Sequence, residues 1–126
     1  MPFDWNDYYS LALDLRTSPN ECCQRSAISR AYYSIYCQAR NHLIAAWNVE
    51  IRATDSVHSV VWNYYRNKGG ATLNAIGVWG SRLRKNRVDA DYENEIHRLD
   101  DLVDESFRCV DKLLAYLAQI QTPPPS

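Results

Sequence analysis

Four cations fall within six residues at Arg82, Arg84, Lys85 and Arg87. A guanidinium offers phosphate oxygens two parallel N–H donors, so this run is a candidate RNA- or phosphate-contacting patch, with Arg66 and Lys68 as neighbours. The same cations would also complement the dipole at the end of a helix while staying solvated, and both roles stand open at this point. His97, Asp100, Asp101 and Asp104 share a helical face at the spacing of a metal row. A metal held in a helical bundle needs matching ligands from facing helices, and no second Glu-x-x-His exists, so the row reads as a solvated acidic face and no metal is expected. His42 sits near an apolar face, as a core or seam histidine would, and His58 is isolated. No G-x-S-x-G, H-E-x-x-H, Gly-rich phosphate loop or zinc spacing is present, and no cofactor is expected. Cys22 and Cys23 are adjacent, Cys37 and Cys109 stand alone, and without a C-x-x-C the four read as free thiols, the latter pair as small core hydrophobes.

Helices must position these groups. Residues 20–68 contain neither glycine nor proline. Ser18 as cap, Pro19 at the first helical position and Glu21 as the capping-box acid predict a helix start. Behind them Ile28, Tyr32, Ile35, Ala39, Leu43 and Ala46 recur every three or four residues and predict a long helix over 19–47. Trp5, Tyr8, Tyr9, Ala12 and Leu15 predict a shorter one over 3–16. Thr54 or Asp55 can cap a third, which Asn67-Lys68-Gly69-Gly70 ends. A fourth is expected over 71–87, loosening at Asp89-Ala90-Asp91, with Arg84 and Arg87 exposed or at an interface near its end. The last is expected over 94–121. The fold class is therefore all-α, a bundle of four to five helices with two long antiparallel ones, 19–47 and 94–121, packed through Ile28, Tyr32, Ile35, Phe107, Val110 and Leu114. In the pairs Tyr8-Tyr9, Tyr32-Tyr33 and Tyr64-Tyr65 one ring should enter the core and its neighbour the seam or surface.

With 126 residues there is room for one domain, expected over 1–121, followed by a disordered Pro-rich tail at 122–126. A formal charge of −1 excludes a globally basic nucleic-acid binder but not a local patch. No apolar run approaches the ~18 residues a spanning helix needs, so no membrane role is expected. The acidic, aromatic start is unlike a secretory signal, and a cytoplasmic location is expected. An aromatic content of 12% in so small a domain points to a homodimer or a helical partner.

The stretch Arg25-Ser26-Ala27-Ile28-Ser29-Arg30-Ala31-Tyr32-Tyr33-Ser34-Ile35-Tyr36 resembles the second helix of the HEPN superfamily (higher eukaryotes and prokaryotes nucleotide-binding). Arg87-Val88-Asp89-Ala90-Asp91-Tyr92 resembles its R-x-x-A-D-Y subgroup, and His58, followed by Val60 and Val61, falls where small members tend to carry a histidine. The resemblance spans about residues 5–120. It implies a bundle of four or five helices, often a dimer, common in toxin–antitoxin, phage-defence and CRISPR-linked systems. Many members are metal-independent ribonucleases whose Arg-x4–6-His motif lies at the dimer interface. In some systems the partner is a nucleotidyltransferase antitoxin that modifies a tyrosine two residues after the motif histidine. Tyr92 matches that tyrosine, as a possible modification site.

The match breaks at the decisive place. With Tyr92 as the motif tyrosine, the histidine position holds Ala90, which can neither give nor take a proton. Arg84 and Arg87 retain the ability to bind phosphate, and Asp91 is the expected salt-bridge partner of Arg87. Three functions follow as expectations. The first is a non-canonical HEPN protein that binds RNA, a nucleotide or a partner protein through Arg82, Arg84, Lys85 and Arg87. The second is a metal-independent endoribonuclease toxin with Arg87, Asp91 or His58 as catalytic candidates and His42 as a further replacement base. The third is a structural helical adaptor in a larger effector complex.

Overall fold

The computed structural model describes residues 2–51 and 57–121. Its helices are α1 (Asn6–Arg16), α2 (Glu21–Trp47), α3 (Val57–Lys68), α4 (Ala71–Tyr92) and α5 (Leu99–Gln121), with no strand among the described residues. The expected all-α bundle is present. The cap proposed at Thr54 or Asp55 and the Pro-rich tail at 122–126 lie outside the described residues. None of the helices is long and apolar enough to cross a membrane.

The start of α2 differs from expectation by two residues. Asn20, not Ser18, is the N-cap, and its side chain accepts from the Cys22 N–H at 2.8 Å. Ser18 Oγ instead accepts from the Asn20 N–H at 3.1 Å, and Glu21 pairs with Arg25 one turn on rather than closing a capping box. Asn20 sits two positions nearer the helical run, and asparagine caps as well as serine.

The second difference is larger. α4 does not loosen at Asp89-Ala90-Asp91 but continues to Tyr92, because Ala90 is a core residue and Arg87 bridges to Asp91 one turn on. Arg25 reaches across from α2 and donates to the carbonyls of Ala90 at 3.0 Å and Glu93 at 2.6 Å, covering acceptors that the end of α4 leaves open. The chain then turns through Arg98, which is left-handed at φ 58°, so α5 begins at Leu99 rather than near Asn94.

Polar contacts fix the helix directions. Tyr9 meets Asp111 and Arg16 meets Asp104, so α1 and α5 are antiparallel. On α4, Thr72 meets Gln119 and Asn86 meets Ser106, while its far end lies against Arg25 and Ser29. The antiparallel packing of long helices is therefore carried by α4 against both α2 and α5, and those two point the same way.

The expected core residues Ile28, Tyr32, Ile35, Phe107 and Val110 are buried, with Leu114 packed against them. One ring of each pair enters the core at Tyr32-Tyr33 and Tyr64-Tyr65, whereas Tyr8 and Tyr9 are both half-buried. α3 and α4 approach closely at two glycines. A Cβ on Gly80 would fall on the Trp62 indole, and one on Gly77 would meet the Trp62 carbonyl and the Arg66 backbone. Glycine costs a helix roughly 1 kcal/mol relative to alanine, which close packing of this kind offsets. The approach seats a fully buried Trp62 over α4 and carries His58, one turn earlier on α3, toward α2.

Candidate phosphate-binding site

Three arginines from two helices surround one histidine. Arg84 and Arg87 lie three residues apart on α4, on the side facing α2. Arg87 is only 7% exposed, which corrects the expectation of an open position. Its guanidinium lies 5.3 Å from the Tyr32 ring centroid and 5.4 Å from that of Tyr33, with Nη1 3.4 Å from Asp91 Oδ2. The same carboxylate oxygen accepts from Ser29 Oγ at 3.4 Å. Arg40 on α2 reaches the cluster beside Tyr36, 6.0 Å from its ring centroid.

His58 is held from two sides. Its ring stacks on Tyr36 at 4.1 Å, and its Nδ1 is 2.8 Å from the Tyr32 hydroxyl oxygen. Trp62 Nε1 donates to that same oxygen at 3.0 Å. All three groups are satisfied when Trp62 donates to Tyr32 and the Tyr32 O–H donates to Nδ1, which leaves the imidazole proton on Nε2. The network thus makes His58 a neutral hydrogen-bond donor at its free nitrogen.

Burial, and then the positive charges of Arg87, Arg84 and Arg40, push the His58 imidazolium down to about 4 from its usual 6.5. Among the described residues only Asp91, paired with Arg87, offsets the three cations. Burial likewise raises the Tyr32 phenol, with Trp62 and the arginines opposing, so it stays protonated. The fold therefore prefers neutral His58. Above about pH 6.5 the group is neutral folded and unfolded alike. Between about 6.5 and 4 the unfolded chain takes a proton that the folded one refuses, so stability falls as pH falls. Partial solvent access reduces the effect to about 1–2 kcal/mol. Urea melts at pH 7 and pH 5 should show it: His58→Gln should lose less stability across this interval than the wild type, and equal losses would refute the assignment.

The cluster is poor in anions. Among the described residues Asp91, with a side chain 29% exposed, is the one carboxylate paired with it. Among the described residues no carboxylate pairs with Arg84 or Arg40, and Arg40 bonds only the side chain of Asn41. Buried Nε atoms of Arg84 and Arg87 and the buried Tyr36 hydroxyl have no hydrogen-bond partner among the described residues. Each unmet buried group costs about 1–3 kcal/mol, more if charged. An anion that accepts several hydrogen bonds would satisfy them together, and a phosphate does so with the fork geometry arginine presents.

The structure divides the basic run that the sequence offered as one patch. Arg84 and Arg87 enter the cluster and meet His58 and Asp91. Arg82 faces α5 instead, pairing with Glu105 at 3.0 Å, and Lys85 is exposed and pairs with Asp89 at 3.0 Å. The split follows from the helical period, which puts 84 and 87 on one face. His42 lies apart, edge-on to Trp47. Tyr92 closes α4 with 74% of its surface exposed. Arg40, Tyr36 and Trp62 were not singled out as site residues from the sequence, although Tyr32, Tyr36 and Arg40 recur every four residues and so line one face of α2.

His97 is exposed, and no three His, Cys, Asp or Glu side chains converge as metal ligands among the described residues. Cys37 and Cys109 are buried free thiols, as expected. Comparison with protein-family models, with curated proteins and with solved structures finds no match, so the chemistry of the cluster is argued from its own residues.

Proposed function

We propose that this chain is a HEPN-like module that binds RNA, or a nucleotide, by its phosphate at Arg84, Arg87 and Arg40. The observation that carries this is the surplus of buried, unpartnered guanidinium N–H around a neutral His58. A purely structural adaptor has no use for three converging cations and one carboxylate, because uncompensated buried charge destabilises a fold. The Tyr32–His58 hydrogen bond supports binding over cleavage. A general base must accept a proton at its free nitrogen, and the network leaves a donor there. The exposed Tyr92 hydroxyl is available to a modifying nucleotidyltransferase of the kind the resemblance implies, and a homodimer remains part of the proposal.

The test is a titration of fluorescently labelled oligouridylate with the pure protein, by anisotropy, across a salt series and in EDTA. Binding should weaken as salt rises, with a log–log slope of about −2 for three phosphate contacts to a single strand. Affinity that ignores salt, or no binding at low salt, would refute the proposal. Oligonucleotide cut in EDTA by wild type and left intact by His58→Gln would replace it with the ribonuclease alternative.

A further inference from the structure

We propose that the ligand is a single-stranded nucleic acid of several nucleotides, with bases stacked on Phe3, Trp5 and Tyr8 while its backbone follows Arg30 and Arg40 to the Arg84–Arg87 site. This rests on the phosphate-binding proposal and names the substrate class that site would take. The first observation is an aromatic cluster at the start of α1. Phe3 packs edge-on against Trp5 at 4.8 Å and Tyr8 at 5.2 Å, and Trp5 meets Tyr8 at 5.4 Å. Phe3 nevertheless keeps 49% of its surface exposed, among the largest openings of any apolar side chain here.

The second, independent observation is how that cluster joins the Arg84–Arg87 site. Arg30 lies between two rings, 4.8 Å from Tyr8 and 5.3 Å from Tyr33, and Tyr33 is also a wall of Arg87. Arg40 lies 5.8 Å from Trp5 and 6.0 Å from Tyr36, the ring on which His58 stacks. Two tracks of alternating ring and guanidinium thus run from the exposed Phe3 and the half-buried Trp5 and Tyr8 to the Arg84–Arg87 site. No carboxylate among the described residues forms an ion pair with Arg30 or Arg40. The nearby Asp4 carboxylate is engaged by the Asn6 N–H at 3.0 Å. Rings that stack bases beside cations that follow the backbone are the means by which proteins hold single strands without reading sequence. A mononucleotide would engage the Arg84–Arg87 site and leave the aromatic cluster idle. A duplex keeps its base faces occupied and offers nothing to stack.

The test compares an eight-residue oligouridylate, the same strand in a duplex, and uridine monophosphate on wild type, Trp5→Ala and Trp5→Phe. In the wild type the single strand should bind at least tenfold more tightly than the mononucleotide and the duplex, and quench intrinsic fluorescence. Trp5→Ala should lose about 5- to 100-fold in affinity for the oligonucleotide, the range that loss of one stacked base gives. Its affinity for the mononucleotide should stay within twofold. Trp5→Phe keeps a ring to pack and stack, so it should retain most affinity but lose the quench. Equal binding of all three ligands, or Trp5→Ala with undiminished oligonucleotide affinity, would overturn the inference while leaving phosphate binding standing. A dimer that Trp5→Ala dissociates with oligonucleotide affinity intact would assign the cluster to self-association and also overturn it. Binding of none of the ligands would defeat the underlying phosphate proposal.

Discussion

Trp62→Ala should destabilise the protein by about 3–5 kcal/mol, the largest loss expected from any single change in the cluster. The indole has no exposed surface, lies on the backbone of α4 at Gly80, and packs against Tyr32, Tyr36 and Tyr65 with centroids 6.1–6.3 Å away. Glycine at position 80 offers no side chain to fill the hole, so the cavity cannot easily collapse. Trp62→Phe should cost less, because a ring remains, but more than its volume alone implies, since it removes the donor to the Tyr32 hydroxyl. Urea denaturation of the three proteins gives the ordering. An alanine variant within 1 kcal/mol of the wild type would mean that α3 does not pack on α4 as described.

Replacing Arg84 and Arg87 together with methionine should weaken oligouridylate binding about 100-fold or more while leaving the fold intact. Charged hydrogen bonds at a largely buried site are worth several kcal/mol when one side is removed. Two fewer phosphate contacts should also flatten the salt dependence by about 1.4 in log–log slope. Stability should move little, because methionine fills much of the same space and two like charges leave a buried site. A buried Arg87–Asp91 pair would have cost about 3–5 kcal/mol to break. The pair is unequal, however, with the arginine buried and the carboxylate open to water and held by Ser29. Stranding Asp91 therefore costs about 1 kcal/mol by comparison with other solvated pairs. A double variant that binds like the wild type would remove the α4 arginines from the site.

The same residues explain what the sequence made legible and what it did not. The three-to-four residue spacing along α2 and α5 is a local property of the chain, so the helices and most of the core could be read directly. Arg84, Arg87, Asp91 and His58 could be nominated by residue type and by resemblance. Their assembly could not, since Arg87 meets Tyr32 across a sequence gap of more than fifty residues and its pairing with Asp91 depends on α4 outlasting its expected end. That extension is secured by Arg25 of α2, a tertiary contact that no pattern around residue 90 announces. Arg40 was passed over because it stands alone in sequence, away from the basic run. Its importance comes only from the aromatic stack it closes.

The intimate fit of Trp62 on Gly80 makes α3 and α4 two halves of one rigid hairpin, whereas α3 touches α2 mainly through His58, Trp62 and Tyr65. The cluster lies where this hairpin meets α2, a seam that α4 also closes through Arg25 and Ser29, with Arg40 on one side of the joint and Arg84 and Arg87 on the other, so that without a ligand their like charges work against its packing. A bound anion would act as a rivet through both halves. Occupancy and tightness of the joint become one variable, so ligand concentration is readable in the melting temperature of the protein.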